Sequence, residues 1–224
     1  MRVLPILFNI EMVKAILNGK KTCTRRIVKG YIPTDAEFGY TAFTPKDAIS
    51  CRGTFETDHQ EYGEKFFKLP YQPGDILYVR ETWSEIKNAD GSHKKYVYKA
   101  SDQYPFGESR YIIKFNWKPS IHMPKEAARI WLMVTDVRVE RLQDITEDGA
   151  KEEGANFKNG KNVGLEEKMR RTAIERFAEI WNSTIKKTDL DRYGWDANPW
   201  VWVIEFERCK SWERSSNGEI NKDL

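Results

Sequence analysis

The chain is poor in the residues that build disulfides and metal sites. Its 224 residues include three cysteines (Cys23, Cys51 and Cys209) and three histidines (His59, His93 and His122). The cysteines are odd in number and widely spaced, which argues against a disulfide framework and fits a reducing compartment. The histidines have no metal-ligand spacing to one another or to a cysteine. We therefore expect no bound metal and no cofactor.

The chain also lacks a long hydrophobic run and a large excess of one charge. No run reaches the roughly 18 apolar residues of a membrane span, and Glu11 and Lys14 interrupt the segment where a signal peptide would lie. We expect a cytoplasmic protein with no membrane partner. Lysine and arginine number 37 and aspartate and glutamate 34, a net charge of +3. Binding to nucleic acid would therefore need a local basic patch.

Short strands and few helices account for most of the pattern that is present. Residues 10–17 predict a helix that stops at Gly19, and Thr146 predicts the N-cap of a second helix that ends at Gly154. A longer amphipathic helix is predicted over residues 165–184. Strands are predicted at residues 22–28, 76–80, 94–100, 129–142 and 200–207, with a hairpin or two around CRGTFE and EKFFKLP.

The order of these elements predicts a small mixed or closed sheet. Strands and helices do not alternate along the chain, and no glycine-rich phosphate loop is present. Both features argue against a doubly wound βαβ fold.

The segment GKKTCTRR, residues 19–26, concentrates basic and hydroxyl side chains. Lys20 and Lys21 fit either the solvated end of the first helix or the wall of a cleft, and the threonines fit either plain strand positions or a site. On a regular strand Lys21 and Thr24 point to opposite faces, so a joint role requires a turn or bulge after Gly19.

Several motifs follow one another along the chain. They are Gly-x-Lys-x-x-Thr-x-Arg (Gly19, Lys21, Thr24, Arg26), Gly-Asp-x-Leu-x-Val (Gly74, Asp75, Leu77, Val79), the stretch WKPSIHMPKEAARIWLMVTDVRVERLQDITEDGAKEEG and a terminal VIEF. Their order resembles the ASCH domain of the PUA-like superfamily, and the long stretch is similar to the longer ASCH proteins of phages and prophages. The resemblance implies an α+β fold, namely a PUA-like mixed β-barrel with flanking helices.

The resemblance also implies a domain organisation. Residues 1–207 would form a single domain with insertions at about 30–70 and 84–120. Residues 208–224 are polar, and we expect a disordered tail there.

The ASCH family is associated with RNA or nucleotide binding, so the resemblance implies a basic cleft that takes RNA or a modified nucleoside or nucleotide. One subset, the small bacterial acetylcytidine amidohydrolases, is catalytic. Its lysine, threonine and glutamate fall by motif on Lys21, Thr24 and Glu153. In that chemistry the lysine takes the proton of the threonine hydroxyl, which attacks the acyl group, and the glutamate orients the lysine or carries a proton to the leaving amine. This chain is longer than those enzymes.

The binding hypothesis adds cations for phosphates and aromatic or polar groups for bases. The candidate ligand-binding residues are Lys20, Arg25, Arg26, Tyr78, Arg80, Glu81, Trp83, Ser120 and His122. Arg80 and Glu81 also fit a surface ion pair, and His122 fits a structural role. A ribonuclease, or a phage-derived interaction protein without catalysis, are further alternatives.

Overall fold

The computed structural model of the protein describes residues 1–30, 37–42, 52–56, 65–88, 90–91, 93–101, 115–155 and 172–210. Their strands are β1 (Val3–Leu7), β2 (Cys23–Ile27), β3 (Glu37–Ala42), β4 (Arg52–Glu56), β5 (Lys65–Lys68), β6 (Ile76–Arg80), β7 (Trp83–Lys87), β8 (His93–Tyr98), β9 (Trp131–Arg141) and β10 (Trp200–Cys209). The α-helices are α1 (Ile10–Leu17), α2 (Glu147–Glu152), α3 (Ala173–Thr184) and α4 (Leu190–Tyr193). The prediction of a mixed α+β protein is confirmed.

The largest sheet has five strands in the order β1-β6-β9-β10-β2. Strand β1 runs parallel to β6, whereas β6 and β9, and β10 and β2, pair antiparallel. Separate smaller sheets are formed by β3, β4 and β5 and by β7 and β8. Strands β4 and β5 confirm the hairpin predicted around CRGTFE and EKFFKLP.

The prediction of a closed barrel is wrong for the described part of the chain. Closure requires the two edge strands of a sheet to pair with each other, and here the edges of the five-stranded sheet are β1 and β2. The residues just before β2 pair with the end of α2 instead. Lys21 forms an antiparallel bridge with Glu153, and the Thr22 amide donates a hydrogen bond to the Glu152 carbonyl at 2.9 Å. This contact covers an edge that would otherwise expose unpaired backbone groups.

The helix boundaries follow the capping chemistry of the sequence. Asn9 accepts a hydrogen bond from the Met12 amide at the start of α1, and Thr146 accepts one from the Gly149 amide at the start of α2. Gly154, just after α2, has φ +86°, a left-handed conformation that glycine adopts at low energy. Helix α3 begins after Thr172, which forms a capping box with Glu175. Residues 165–171 of the predicted longer helix lie outside the described residues.

The chain divides into two compact units. Met1–Lys20, Gly74–Met133 and Glu207–Leu224 form the first, and Lys21–Pro73 and Val134–Phe206 form the second. The predicted tail lies largely outside the described residues, which end at 210.

The second unit has an apolar core that supports α2, α3 and two strands. Its buried members are Leu142, Ile145, Ala150, Ala155, Ala173, Phe177, Trp181, Val201 and Val203. Glu147 of α2 joins the two helices, because its carboxylate accepts a hydrogen bond from the Ala173 amide at 2.9 Å. Helix α2, which precedes Glu153, is therefore fixed at both its capped start and its contact with α3.

None of the helices in the described ranges is long and apolar enough to cross a membrane.

Candidate functional site

A buried ion pair links the start of β2 to the end of α2. The Lys21 ammonium nitrogen Nζ lies 2.5 Å from Glu153 Oε2 and 2.9 Å from the Glu153 carbonyl oxygen. The Lys21 side chain is fully buried, and the Glu153 side chain is 5% exposed. Two residues that are 132 positions apart in sequence are thus held together by backbone pairing and by a charge-assisted hydrogen bond.

Arg25, within β2, joins this pair. Its Nη1 lies 3.5 Å from Glu153 Oε1, and its Nη2 lies 3.2 Å from Glu140 Oε2. The guanidinium also lies 5.9 Å from the centre of the Phe177 ring. Among the described residues, the buried Nε of Arg25 has no hydrogen-bond partner. Arg25 therefore bridges two carboxylates from a buried position.

Thr24 and Arg26 interact with each other. Arg26 Nη1 donates to Thr24 Oγ1 at 2.9 Å and to the Arg25 carbonyl at 3.1 Å. Strands β2 and β10 pair without a register shift, so consecutive side chains of β2 alternate between the two faces of the sheet. Thr24 and Arg26 accordingly point away from the face on which Arg25 meets Glu153. Burial lowers the pKa of the Arg26 guanidinium, an effect that Glu153 and Tyr71 oppose.

The predicted catalytic set is therefore divided in the structure. Lys21 and Glu153 are in direct contact. Thr24 is only 1% exposed, and its hydroxyl oxygen accepts a hydrogen bond from Arg26. The regular pairing of β2 lacks the bulge that would turn Lys21 and Thr24 to one face.

No family model matches the chain. No curated protein matches it. No solved structure matches it.

Two functional candidates on β9 were missing from the sequence-based prediction. Glu140 accepts from Arg25 and also from Arg138, whose Nε lies 2.5 Å from Glu140 Oε1. Arg138 in turn bonds Asp136 and Glu205. Charges of alternating sign thus lead from the buried Lys21 to the surface. The only signal in the sequence was the alternation of charged residues along β9, which is also typical of a solvated strand face.

The other predicted site residues lie in the first unit. Arg80 Nε donates to the Met123 carbonyl at 2.8 Å, and its Nη2 donates to the Ile121 carbonyl. Glu81 is buried and holds Arg129 through two hydrogen bonds of 2.8 and 2.9 Å. Arg80 and Glu81 thus bind different partners, in contrast to the surface ion pair that the sequence also allowed.

The aromatic and loop candidates of the first unit have varied surroundings. Tyr78 is half-buried against Trp131, with ring centres 6.1 Å apart, and Trp83 is buried, with Lys118 Nζ 4.6 Å from its ring centre. Ser120 is half-buried and lines an open hollow beside the start of α1, and His122 is exposed. Lys20, which ends the first segment of this unit, is also exposed. Tyr78 and Trp83 thus pack against neighbouring side chains of the same unit.

The described ranges hold no group of three or more histidine, cysteine, aspartate or glutamate side chains that could hold a metal ion.

The Cys23 thiol is expected to make the protein less stable as the pH rises in the alkaline range. Burial raises the pKa of its thiol from 9.0 to about 12, Glu153 adds to the rise, and Lys21 and Arg25 oppose it. Between pH 9 and 12 the unfolded chain loses this proton and the folded chain keeps it. The free energy of unfolding should then fall by about 1.4 kcal/mol per pH unit through this group.

Urea unfolding of the wild type and Cys23→Ala at pH 8.0, 9.5 and 10.5 measures this contribution. The difference in stability between the two proteins should shift in favour of Cys23→Ala as the pH rises. Parallel pH profiles would show that the Cys23 thiol does not contribute.

Proposed function

We propose that the protein binds RNA or a modified nucleotide through the buried cluster of Lys21 and Arg25 and the adjacent Arg26. The observation that carries this proposal is the meeting of Lys21 and Arg25, both buried, on the single carboxylate of Glu153. Glu140 is the second carboxylate in contact with the cluster, and it is shared with Arg138. Lys21 and Arg25 thus place two buried cations on one carboxylate, and groups of this kind also bind a phosphate.

The burial of these charges supports a functional role. Removal of an ammonium and a guanidinium from water is unfavourable by several kcal/mol per ion, and apolar side chains of similar size stabilise a fold as well or better. Buried clusters of ionisable groups are therefore more frequent at binding and catalytic sites than elsewhere. The Lys21–Glu153–Arg25 cluster has this character, since each side chain is at most 5% exposed.

The surroundings of the cluster support an anionic ligand. Arg26, at the position after Arg25 in β2, is half-buried and adds a further cation. Phosphate contacts of this kind bind a nucleic acid without reading its sequence. The resemblance to ASCH proteins, a family that we also propose for this chain, points to the same class of ligand.

Short single-stranded RNAs and modified nucleosides test the proposal in binding assays over a range of salt concentrations. For RNA, the slope of log affinity against log salt should lose about 0.7 for each phosphate contact removed. Arg26→Gln should therefore weaken binding and flatten the slope. Arg176→Gln, which removes a cation on α3 paired with Glu179, is the matched control and should leave both unchanged. Wild-type affinity that does not respond to salt would contradict the proposal.

A second candidate function is hydrolysis of acylated cytidine. The 2.5 Å contact between Lys21 Nζ and Glu153 Oε2 favours it, since the resemblance assigns both residues to catalysis. This reaction requires Thr24, which bonds Arg26, to approach Lys21. The Thr24 oxygen would attack the acyl carbon while its proton passes to Lys21 as a neutral amine, the cytosine amine would leave with that proton, and water would release the acid from Thr24. Chromatography of N-acylcytidine in the same assays scores this reaction. Retention without turnover supports binding alone, and turnover that is lost in Thr24→Val supports the hydrolase.

A further inference from the structure

The Glu153 carboxylate divides its two oxygens between two cations. Oε2 accepts from Lys21 Nζ at 2.5 Å, and Oε1 lies 3.5 Å from Arg25 Nη1. An ammonium and a guanidinium that converge on two oxygens of one anion are also the groups that bind a phosphate or a carboxylate from a ligand. Glu153 therefore occupies a position in which a ligand oxyanion would be stabilised.

Each cation has a second attachment that does not involve the Glu153 carboxylate. Lys21 Nζ donates to the Glu153 backbone carbonyl at 2.9 Å, and Arg25 Nη2 donates to Glu140 Oε2 at 3.2 Å. Both cations should therefore keep their positions when the carboxylate is removed. The positions of the two cations therefore do not depend on the Glu153 carboxylate alone, which is the condition for a preorganised anion site.

The cluster also has unused hydrogen-bonding capacity and lies close to solvent. The buried Arg25 Nε has no partner in the described part of the chain. Lys21 and Glu153 are flanked in sequence by Thr22 and Glu152, which are exposed and joined by a backbone hydrogen bond of 2.9 Å. When the Glu153 side chain is displaced, a small anion would reach Lys21 and Arg25 from the surface.

We propose that the Glu153 carboxylate is an internal substitute for the anionic group of a ligand, which binds by replacing it between Lys21 and Arg25. The ligand group is an anion with at least two oxygens, either a phosphate of a nucleotide or a carboxylate. This inference rests on the proposed function, since it names the chemical group that the nucleotide site holds.

Isothermal titration calorimetry of Glu153→Gln with inorganic phosphate tests the inference, and parallel titrations with acetate distinguish the two anion classes. Because glutamine removes the competing negative charge while both cations keep their second attachments, the variant should bind one of these anions at least about tenfold tighter than the wild type. Glu152→Gln is the matched control: it removes the same charge one residue earlier, at an exposed position, and should stay within about twofold of the wild type. Equal gains in both variants, or no gain in either, would overturn the inference.

Glu153→Asp keeps the charge and shortens the side chain by one methylene, which provides a test if the glutamine variant does not fold. It should bind the preferred anion more tightly than the wild type, and wild-type affinity would overturn the inference. The result also separates the two proposals. Wild-type RNA binding without a gain in Glu153→Gln overturns only the internal substitute, whereas a gain without RNA binding by the wild type supports the anion site and overturns only the nucleic-acid function.

Discussion

Replacement of Glu81 by glutamine is expected to lower the free energy of unfolding by about 3 kcal/mol, since loss of one partner leaves the other charge of a largely buried pair uncompensated. The Glu81 side chain is 1% exposed, and its two oxygens bond Arg129 at 2.8 and 2.9 Å. Arg129 also lies 4.2 Å from the centre of the Tyr98 ring and donates to Ser101. Glutamine has nearly the same shape, so the variant reports the loss of charge rather than a cavity.

Urea unfolding at pH 7 measures this effect, and Glu179→Gln is its control. Glu179 also bonds an arginine, Arg176, at 2.7 Å, but its side chain is 45% exposed. An exposed pair of this kind contributes at most about 1 kcal/mol. Similar losses of unfolding free energy in the two variants would show that the buried Glu81–Arg129 pair contributes no more to stability than an exposed pair.

Much of the secondary structure could be predicted because it depends on local chemistry. The apolar alternation of β10 and the continuous apolar start of β9 are visible in WVWVIEFE and RIWLMV. Thr146 begins α2 and Gly154 follows its end because a hydroxyl cap and a positive φ are properties of single residues. These features do not depend on distant parts of the chain.

The arrangement of the sheet could not be predicted in the same way. Strand β1 contains Pro5, which is unfavourable within a sheet, but proline is tolerated at a sheet edge, and β1 pairs with β6 alone. The covering of the chain beside β2 by the end of α2 depends on a contact between Thr22 and Glu152, which are 130 residues apart in sequence. Such pairings follow from tertiary structure, and they explain why a closed barrel was predicted and an open sheet is found.

The candidate site, too, could be predicted only in part. The motif resemblance paired Lys21 with Glu153, and the two side chains are in contact. Glu140 gave no comparable signal, because a charged residue at an alternating strand position is typical of a solvated face. Its contact with Arg25 arises only when β9 and β2 are placed in one fold. Charge partners across a sheet are therefore the part of the site that the sequence could not supply.

Variants of the Lys21–Glu153 pair should change the stability of the protein and its RNA binding to different extents. Lys21→Met leaves the Glu153 carboxylate buried with Arg25 as its remaining cation, and should lower the free energy of unfolding by about 3 kcal/mol. The double variant Lys21→Met with Glu153→Gln removes both charges. Its loss of stability should be smaller than the sum of the two single losses by about 2 kcal/mol, because no unpaired charge of this pair is left.

Urea unfolding of the four proteins of this double-mutant cycle, together with RNA binding by each, provides the test. The double variant should remain folded and yet bind RNA more weakly than the wild type, since it lacks the buried ammonium of the proposed binding site. Additive losses of stability would show that Lys21 and Glu153 do not act as a unit. Wild-type RNA affinity in the folded double variant would remove Lys21 from the binding site. A buried ion pair that contributes little net stability is expected to be retained where its charges serve recognition. The double variant measures the contribution of the pair to stability and its contribution to RNA binding in one molecule.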